Sequence, residues 1–236
     1  LLNKLKLFLL IENTKMVSNL VNAVILLGAP GAGKGTQTSL LCNEYGFFRV
    51  STGDIIRAEV KLGSFLGKTV AHFQDKGQLV PDDLVSELVF SRLRALESDS
   101  FVFDGFPRTL AQAIKLDEYL QASSLSSSVV LVDVPFESIR TRILGRLYCP
   151  GCQSIFSSLA SAAYEGMPCP CCGVQLAVRP DDNIEVLKDR YDIYNREIGP
   201  ILEYYGSRVR SVDGTQPSEM VYDSLVRLLE LKSFQC

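Results

Sequence analysis

The segment Gly28-Ala29-Pro30-Gly31-Ala32-Gly33-Lys34-Gly35-Thr36 constrains this chain more than any other. The apolar run before it, Val24 to Leu27, predicts a buried parallel strand. The residues after it, Gln37 to Tyr45, predict a helix. Strand, glycine-rich turn and helix start together make a phosphate cradle. The glycines let the backbone curl so that successive N–H groups face an anion, and the helix adds the positive end of its dipole. Lys34 brings a mobile cation to the terminal phosphates. The plainer alternative, a glycine-rich turn that binds nothing, explains neither the lysine nor the strand-to-helix context.

Common phosphate loops place Ser or Thr directly after the lysine, where the hydroxyl ligates Mg²⁺. Here Gly35 takes that position and Thr36 follows. Magnesium is therefore expected to rest on phosphate oxygens, water and an acidic residue elsewhere.

The 236 residues are 47% hydrophobic and 22% charged, enough for one substantial core with small inserted lobes. A net charge of −3 argues against nucleic acid as a partner, since phosphate backbones call for a basic excess. No run approaches the roughly 18–20 apolar residues that span a bilayer. Leu1 to Ile11 is broken by Lys4 and Lys6 and lacks the form of a signal peptide. The expectation is a cytoplasmic protein with no membrane partner, its natural start at Met16, and a poorly ordered N-terminal extension over 1–22. The seven cysteines are odd in number and clustered, which suggests reduced thiols. Cys42 reads as a small core residue on the first helix.

Strands are predicted at 23–27, 48–50, 101–104, 129–133 and 208–212. Helices are predicted at 35–45, 54–62, 65–77, 82–97, 109–121, 136–147, 183–205 and 217–231. Such alternation implies an α/β doubly wound parallel sheet of about five strands. The core comprises 23–50, 81–146 and 185–236. Two insertions interrupt it: a small helical lobe over 51–80, and 147–184, which is rich in Cys, Gly, Pro and Ser. Asp82 is expected to cap the helix after Pro81. His72, the single histidine, reads as surface.

Ser51-Thr52-Gly53-Asp54-Ile55-Ile56-Arg57 follows the second strand, where Arg57 could grip another phosphate; alone, it reads equally as a capped helix. Phe101-Val102-Phe103-Asp104-Gly105-Phe106-Pro107-Arg108 is more specific. Asp104 ends an apolar strand, the usual place for a second metal partner, and would order Mg²⁺ through water. Arg108 follows a rigid turn that aims it. Gln112 lies one helical turn further on and could reach a base edge.

These motifs, in this order, resemble the adenylate kinases of the long-lid bacterial type, from about Val24 to the C-terminus. The resemblance implies reversible phosphoryl transfer from MgATP to AMP, giving two ADP, by a monomer with a P-loop core, a helical lobe for the nucleoside monophosphate and a lid. It implies that Gly31, Ala32, Gly33, Lys34, Gly35, Thr36, Arg142, Arg146, Ile155, Phe156 and Gln216 bind ATP. It places AMP against Thr52, Arg57, Gln78, Leu79, Val80, Gly105, Phe106, Pro107, Arg108, Gln112, Arg179 and Arg190. Lys34, Arg108, Arg142, Arg146, Arg179 and Arg190 become the catalytic cations. Thr52 and Gln112 favour AMP over UMP or CMP as acceptor. A pyrimidine monophosphate kinase, or a binding module without catalysis, are the rival readings.

The spacing Arg142-x₃-Arg146 puts two guanidinium groups on one face of a predicted helix. Asp181 and Asp182 are expected to tie the lid through arginine pairs. Gly145 and positions 147 and 184 are hinge candidates. Cys149-x₂-Cys152 and Cys169-x₂-Cys172, sixteen residues apart, form a strong structural Zn²⁺ signal. A nucleic-acid-binding zinc ribbon shares the spacing, but this segment lacks the basic and aromatic residues for it. Cys171 competes with Cys172 for the fourth position, and the spacing favours Cys172. The lid departs from its relatives at Leu147, Gln153 and Phe156-Ser157, where an arginine, a glycine and a Tyr-His pair are usual.

Overall fold

A computed structural model describes residues 21–75, 80–96, 98–152, 154–158, 162–179 and 182–231. Met16 and nearly all of the 1–22 extension therefore lie outside the described residues, as do Gln78, Leu79, Gln153 and Asp181.

Five parallel strands form the centre: β1 (Ala23–Leu27), β2 (Phe48–Ser51), β3 (Phe101–Asp104), β4 (Ser127–Asp133) and, after a short lid sheet, β7 (Val209–Asp213). Their order across the sheet is β2-β3-β1-β4-β7. All five β1 residues are buried, as an apolar run without alternation requires when helices cover both faces. One apolar layer, with Val24, Leu26, Leu41, Val130 and Leu225, packs on one face; Ile25, Val89, Phe103, Leu116 and Ile201 pack on the other.

Eight α-helices appear among the described residues: α1 (Lys34–Tyr45), α2 (Thr52–Leu62), α3 (Phe65–Asp75), α4 (Asp82–Arg94), α5 (Leu110–Ala122), α6 (Phe136–Leu144), α7 (Ile184–Tyr205) and α8 (Ser218–Leu228). Ser51, Thr109 and Asn183 cap α2, α5 and α7 by accepting from backbone N–H groups. Asp82 is not a cap: Pro81 holds that position and Asp82 is the first helical residue, free to point its carboxylate elsewhere.

The largest departure from the sequence reading concerns Arg146. Helix α6 ends at Leu144, with Gly145 as its C-cap, and Arg146 begins β5 (Arg146–Tyr148), which pairs antiparallel with β6 (Ile155–Ser157). Arg142 and Arg146 thus do not share a helical face. The break at Gly145 turns the chain out of the core and lets Arg146 approach from the lid side. The lid's own apolar cluster is small: Leu147, Cys149, Cys169 and Leu176 are buried, with Phe156, Ala163 and Met167 against them.

Candidate active site

The strand order places a reversal at β1, because the chain builds β2 and β3 on one side of it and β4 and β7 on the other. Ligands of open parallel sheets sit at the carboxyl ends of strands at such a point. Register brings Leu26 level with Asp104, and Asp104 level with Ser51, so one edge gathers the three sequence motifs.

The turn after β1 is shaped by its glycines. Gly31 has φ +86°, and a Cβ there would stand 2.9 Å from Ile139 and Ile143 on α6. Gly28, at φ +143°, would meet the Val132 carbonyl oxygen at 2.6 Å. The curled backbone is thus fixed by close packing on the core as well as by conformation. Lys34 donates to the carbonyls of Gly28 and Ala29 at 2.8 and 2.9 Å, lying back along the loop. Burial pushes its ammonium down to about 8; Asp104 opposes this, and the cations Arg108 and Arg146 add to it.

Arg142 closes the loop's other side, donating to Ala32 O at 3.2 Å and to Gly214 O at 2.6 Å. It therefore joins the phosphate loop to the turn carrying Gln216, which is itself exposed and donates to Asp213 at 2.8 Å. Arg146 forks onto Asp182, with Nε donating to Oδ2 at 2.7 Å and Nη2 to Oδ1. This is the arginine pair expected of Asp182.

The acceptor side is linked through backbone and short side chains. Thr52 Oγ1 donates to Gly105 O at 2.9 Å, and Arg108 Nε donates to the same carbonyl at 2.8 Å. Phe106 is buried against Phe103 and Phe90, and its bond to Pro107 is cis. Burial lowers the Arg108 pKa, and Arg190 and Arg57 lower it further against the pull of Asp104, so these groups converge on one cleft. Arg57 itself pairs with Asp54. Gln112 is buried with both ends engaged: its carbonyl accepts from Arg108 N–H at 2.8 Å and its amide donates to Asp82 at 2.6 Å. Arg179 stacks its guanidinium 5.3 Å from the Tyr148 ring centre. Val80 is half-buried at the edge of the apolar layer.

Two side chains escape the motif reading. Asp82 accepts from both Thr109 and Gln112, bracing the turn that carries Arg108. Arg49 donates to Asp104 Oδ2 at 3.0 Å. An acidic first turn marked α4, but no signal tied Asp82 to a segment some thirty residues away; a charge at the exposed end of β2 marked Arg49 no better.

In the lid, the four Sγ atoms of Cys149, Cys152, Cys169 and Cys172 lie within 4.8 Å of one another. Two pairs stand 3.3 and 3.6 Å apart. A tetrahedral Zn–S₄ centre needs sulfurs about 3.8 Å apart from its bond length of about 2.3 Å, so the donor set fits zinc. Cys171 is exposed and points outside this group, its N–H donating to Cys169 Sγ. Hydrogen bonding with the side chain and backbone of Ser154 holds the Cys152 thiol down at about 6. Phe156 packs on the lid's small core, whereas Ile155 is 39% exposed.

Comparison with known proteins agrees with this geometry. The profile of the family described as adenylate kinase matches residues 26–210. An adenylate kinase of Lachnospira eligens is 40% identical over 211 residues, covering 87% of this chain and 99% of that protein. Those of Thermodesulfovibrio yellowstonii and Archaeoglobus fulgidus are 37% and 39% identical, covering 89% and 88% of this chain and 99% and 97% of theirs. With its phosphate loop, its Asp-Gly-Phe-Pro-Arg turn and its converging arginines, the chain belongs to the adenylate kinase family.

Proposed function

We propose that this chain catalyses MgATP + AMP ⇌ 2 ADP, with Lys34, Arg108, Arg142, Arg146, Arg179 and Arg190 as the cations around the transferring phosphate. The observation that carries the assignment of roles is that Asp104, Arg108 and Arg146, from two further motifs, all act on the charge of Lys34, while Arg190 and Arg57 act on Arg108. Phosphoryl transfer is mostly alignment and neutralisation of moving charge, so a cationic cleft without a strong base suffices. Arginine suits it, because its planar fork meets phosphate oxygens in pairs and stays charged.

ATP phosphates lie in the loop Gly31 to Thr36, with the ATP adenine toward Ile155, Phe156 and Gln216. AMP lies against Thr52, Arg57, Val80, the Gly105–Arg108 turn and Gln112, with Gln78 and Leu79 completing its contacts. On the ATP side, Lys34 exchanges its loop carbonyls for phosphate oxygens. On the AMP side, Gly105 O, by accepting from both Thr52 and Arg108, fixes the wall on which the acceptor phosphate rests. Asp104 would hold Mg²⁺ through water, and the ion, when bound, adds positive charge to the phosphate oxygens. Zinc in the lid is structural, since four thiolates leave no open position. The lid, 147–184, and the helical lobe, 51–80, close over the two nucleotides and exclude water, so phosphate passes to AMP and not to hydrolysis. We place the enzyme in the cytoplasm as a monomer; no described helix is long and apolar enough to cross a membrane.

The test is the initial rate of ADP formation from MgATP with AMP, UMP, CMP or GMP. Transfer mainly to AMP is the expected result. A pyrimidine preference would overturn the use of Thr52 and Gln112, and no transfer from folded, metal-loaded protein would favour a binding module.

A further inference from the structure

No motif marks Arg49, yet it stands where the metal chemistry is expected. It lies on β2, the edge strand, one residue before Val50 turns inward. Its Nη2 donates to Asp104 Oδ2 at 3.0 Å and lies 3.6 Å from Asp54 Oδ2. The Asp104 side chain is only 15% exposed, so this contact is partly shielded from solvent. A Cβ built on Gly35 would stand 3.3 Å from Asp104 Oδ2 and 3.5 Å from Arg49 Nη2. The guanidinium therefore occupies the ground beside the residue after the lysine, where common phosphate loops carry a hydroxyl toward the metal.

We propose that Arg49 is a positioning residue, a fixed counter-cation on Asp104 that sets how much more tightly MgATP binds than ATP alone. The inference rests on the reading of Asp104 as the carboxylate facing magnesium. Two effects act in the same direction. Arg49 cancels part of the negative charge through which Asp104 attracts a divalent ion, and its own charge repels that ion. It also attracts metal-free ATP, which carries more negative charge than MgATP. Arg49 thus narrows the enzyme's preference for the magnesium complex, and Oδ1 of Asp104 remains to accept from a metal-bound water.

A plain brace between β2 and β3 would leave that preference unchanged and lower only thermal stability. The two roles separate through linkage, because the ratio of the ATP and MgATP dissociation constants measures the coupling of metal to nucleotide. The experiment is calorimetric titration of the zinc-loaded full chain, without AMP, using ATP in magnesium-free buffer and MgATP in magnesium buffer. Arg49→Gln is expected to raise the ratio Kd(ATP)/Kd(MgATP) about tenfold, the low end of what a unit charge at contact distance supplies in a partly wet site. Arg49→Ala, a second neutral replacement at this exposed edge position, should do the same. Arg49→Lys, which keeps the charge and loses the fork, should stay within about twofold of the parent protein. Asp104→Asn should lower the ratio.

If Asp104→Asn lowers the ratio while Arg49→Gln and Arg49→Ala leave it unchanged or lower it, the inference about Arg49 fails and the reading of Asp104 survives. If Asp104→Asn leaves the ratio unchanged, the metal does not face Asp104, and the inference falls with that reading.

Discussion

The cleft and the lid are held in place by different physics. Around the phosphate loop, three cations are tied to backbone carbonyls: Lys34 to Gly28 and Ala29 of its own loop, Arg142 to Ala32 and Gly214 of other segments, Arg108 to Gly105 of its own turn. Behind them stand two apolar layers that cover a five-stranded sheet. Among the described residues, the lid's cluster has four buried members, and two of them are cysteines. Preformed geometry therefore comes from a large core on one side; on the other, four clustered thiols that could hold a metal stand in a segment too small to bury much surface of its own. This difference predicts damage that is local and chemical in the cleft, but local and structural in the lid.

The largest expected effect is in the cleft. Arg108→Ala removes a guanidinium that approaches Asp104, Arg190 and Arg57. Turnover should fall by roughly 10³–10⁵ while circular dichroism stays native, since a single well-placed arginine contributes on that scale. Near-normal turnover would remove Arg108 from the mechanism and break the comparison on its cleft side.

Stripping the proposed zinc should do the reverse. A structural site of this type supplies on the order of 10 kcal/mol of local folding energy. Hydrogen exchange should therefore lose protection across β5 and β6 while β1 and β4 keep theirs. Uniform loss of protection would show that lid and core fold as one unit. Cysteine replacement sharpens the same point. Cys172→Ser should lose metal, measured by mass spectrometry, whereas Cys171→Ser should retain it, because only Cys172 lies with the other three thiols. Gly31→Ala comes next in size. Its added methyl meets Ile139 and Ile143 at 2.9 Å from a left-handed backbone, and about 1–3 kcal/mol of stability should go, read by denaturant unfolding.

Much of the cleft was legible in the chain because glycines and prolines carry local geometry. Gly28, Gly31 and Gly33 specify a turn through their own backbone, and the order of strands and helices follows from apolar periodicity. Arg49 and Asp82 were not legible, because their partners lie on other elements and only the sheet order brings them together. Arg146 was misplaced for a related reason. Helical spacing from Arg142 carries Arg146 onto the same face only if the helix passes Gly145; the glycine is a local stop signal, but the antiparallel pairing of Arg146 with Ser157 that replaces the helix depends on a later segment. In the lid, cysteine spacing marked the four thiols that the fold gathers, since two short Cys-x₂-Cys turns set most of that geometry locally.

The smallest expected effect probes the cost of the cleft's preformed state. The Lys34 pKa is pushed down from 10.5 to about 8, first by burial. The unfolded chain keeps this proton up to about 10.5, so between the two values it binds more protons than the native protein, and stability gains with rising pH there. Below pH 8 the full cost of the buried ammonium is present. Lys34→Met removes that titration, so the difference in thermal midpoint between variant and parent should shift in the parent's favour as pH rises from 8 to 10.5. On the proposed role of Lys34, function should show the opposite trend. The free enzyme needs the ammonium to meet phosphate, so kcat/KM for MgATP should fall as pH rises through about 8. Bound phosphate charge raises the Lys34 pKa again, so kcat should stay level to a higher pH. Coincident limbs in kcat and kcat/KM would mean that nucleotide does not compensate Lys34, and the cleft would then owe its electrostatics to the arginines alone.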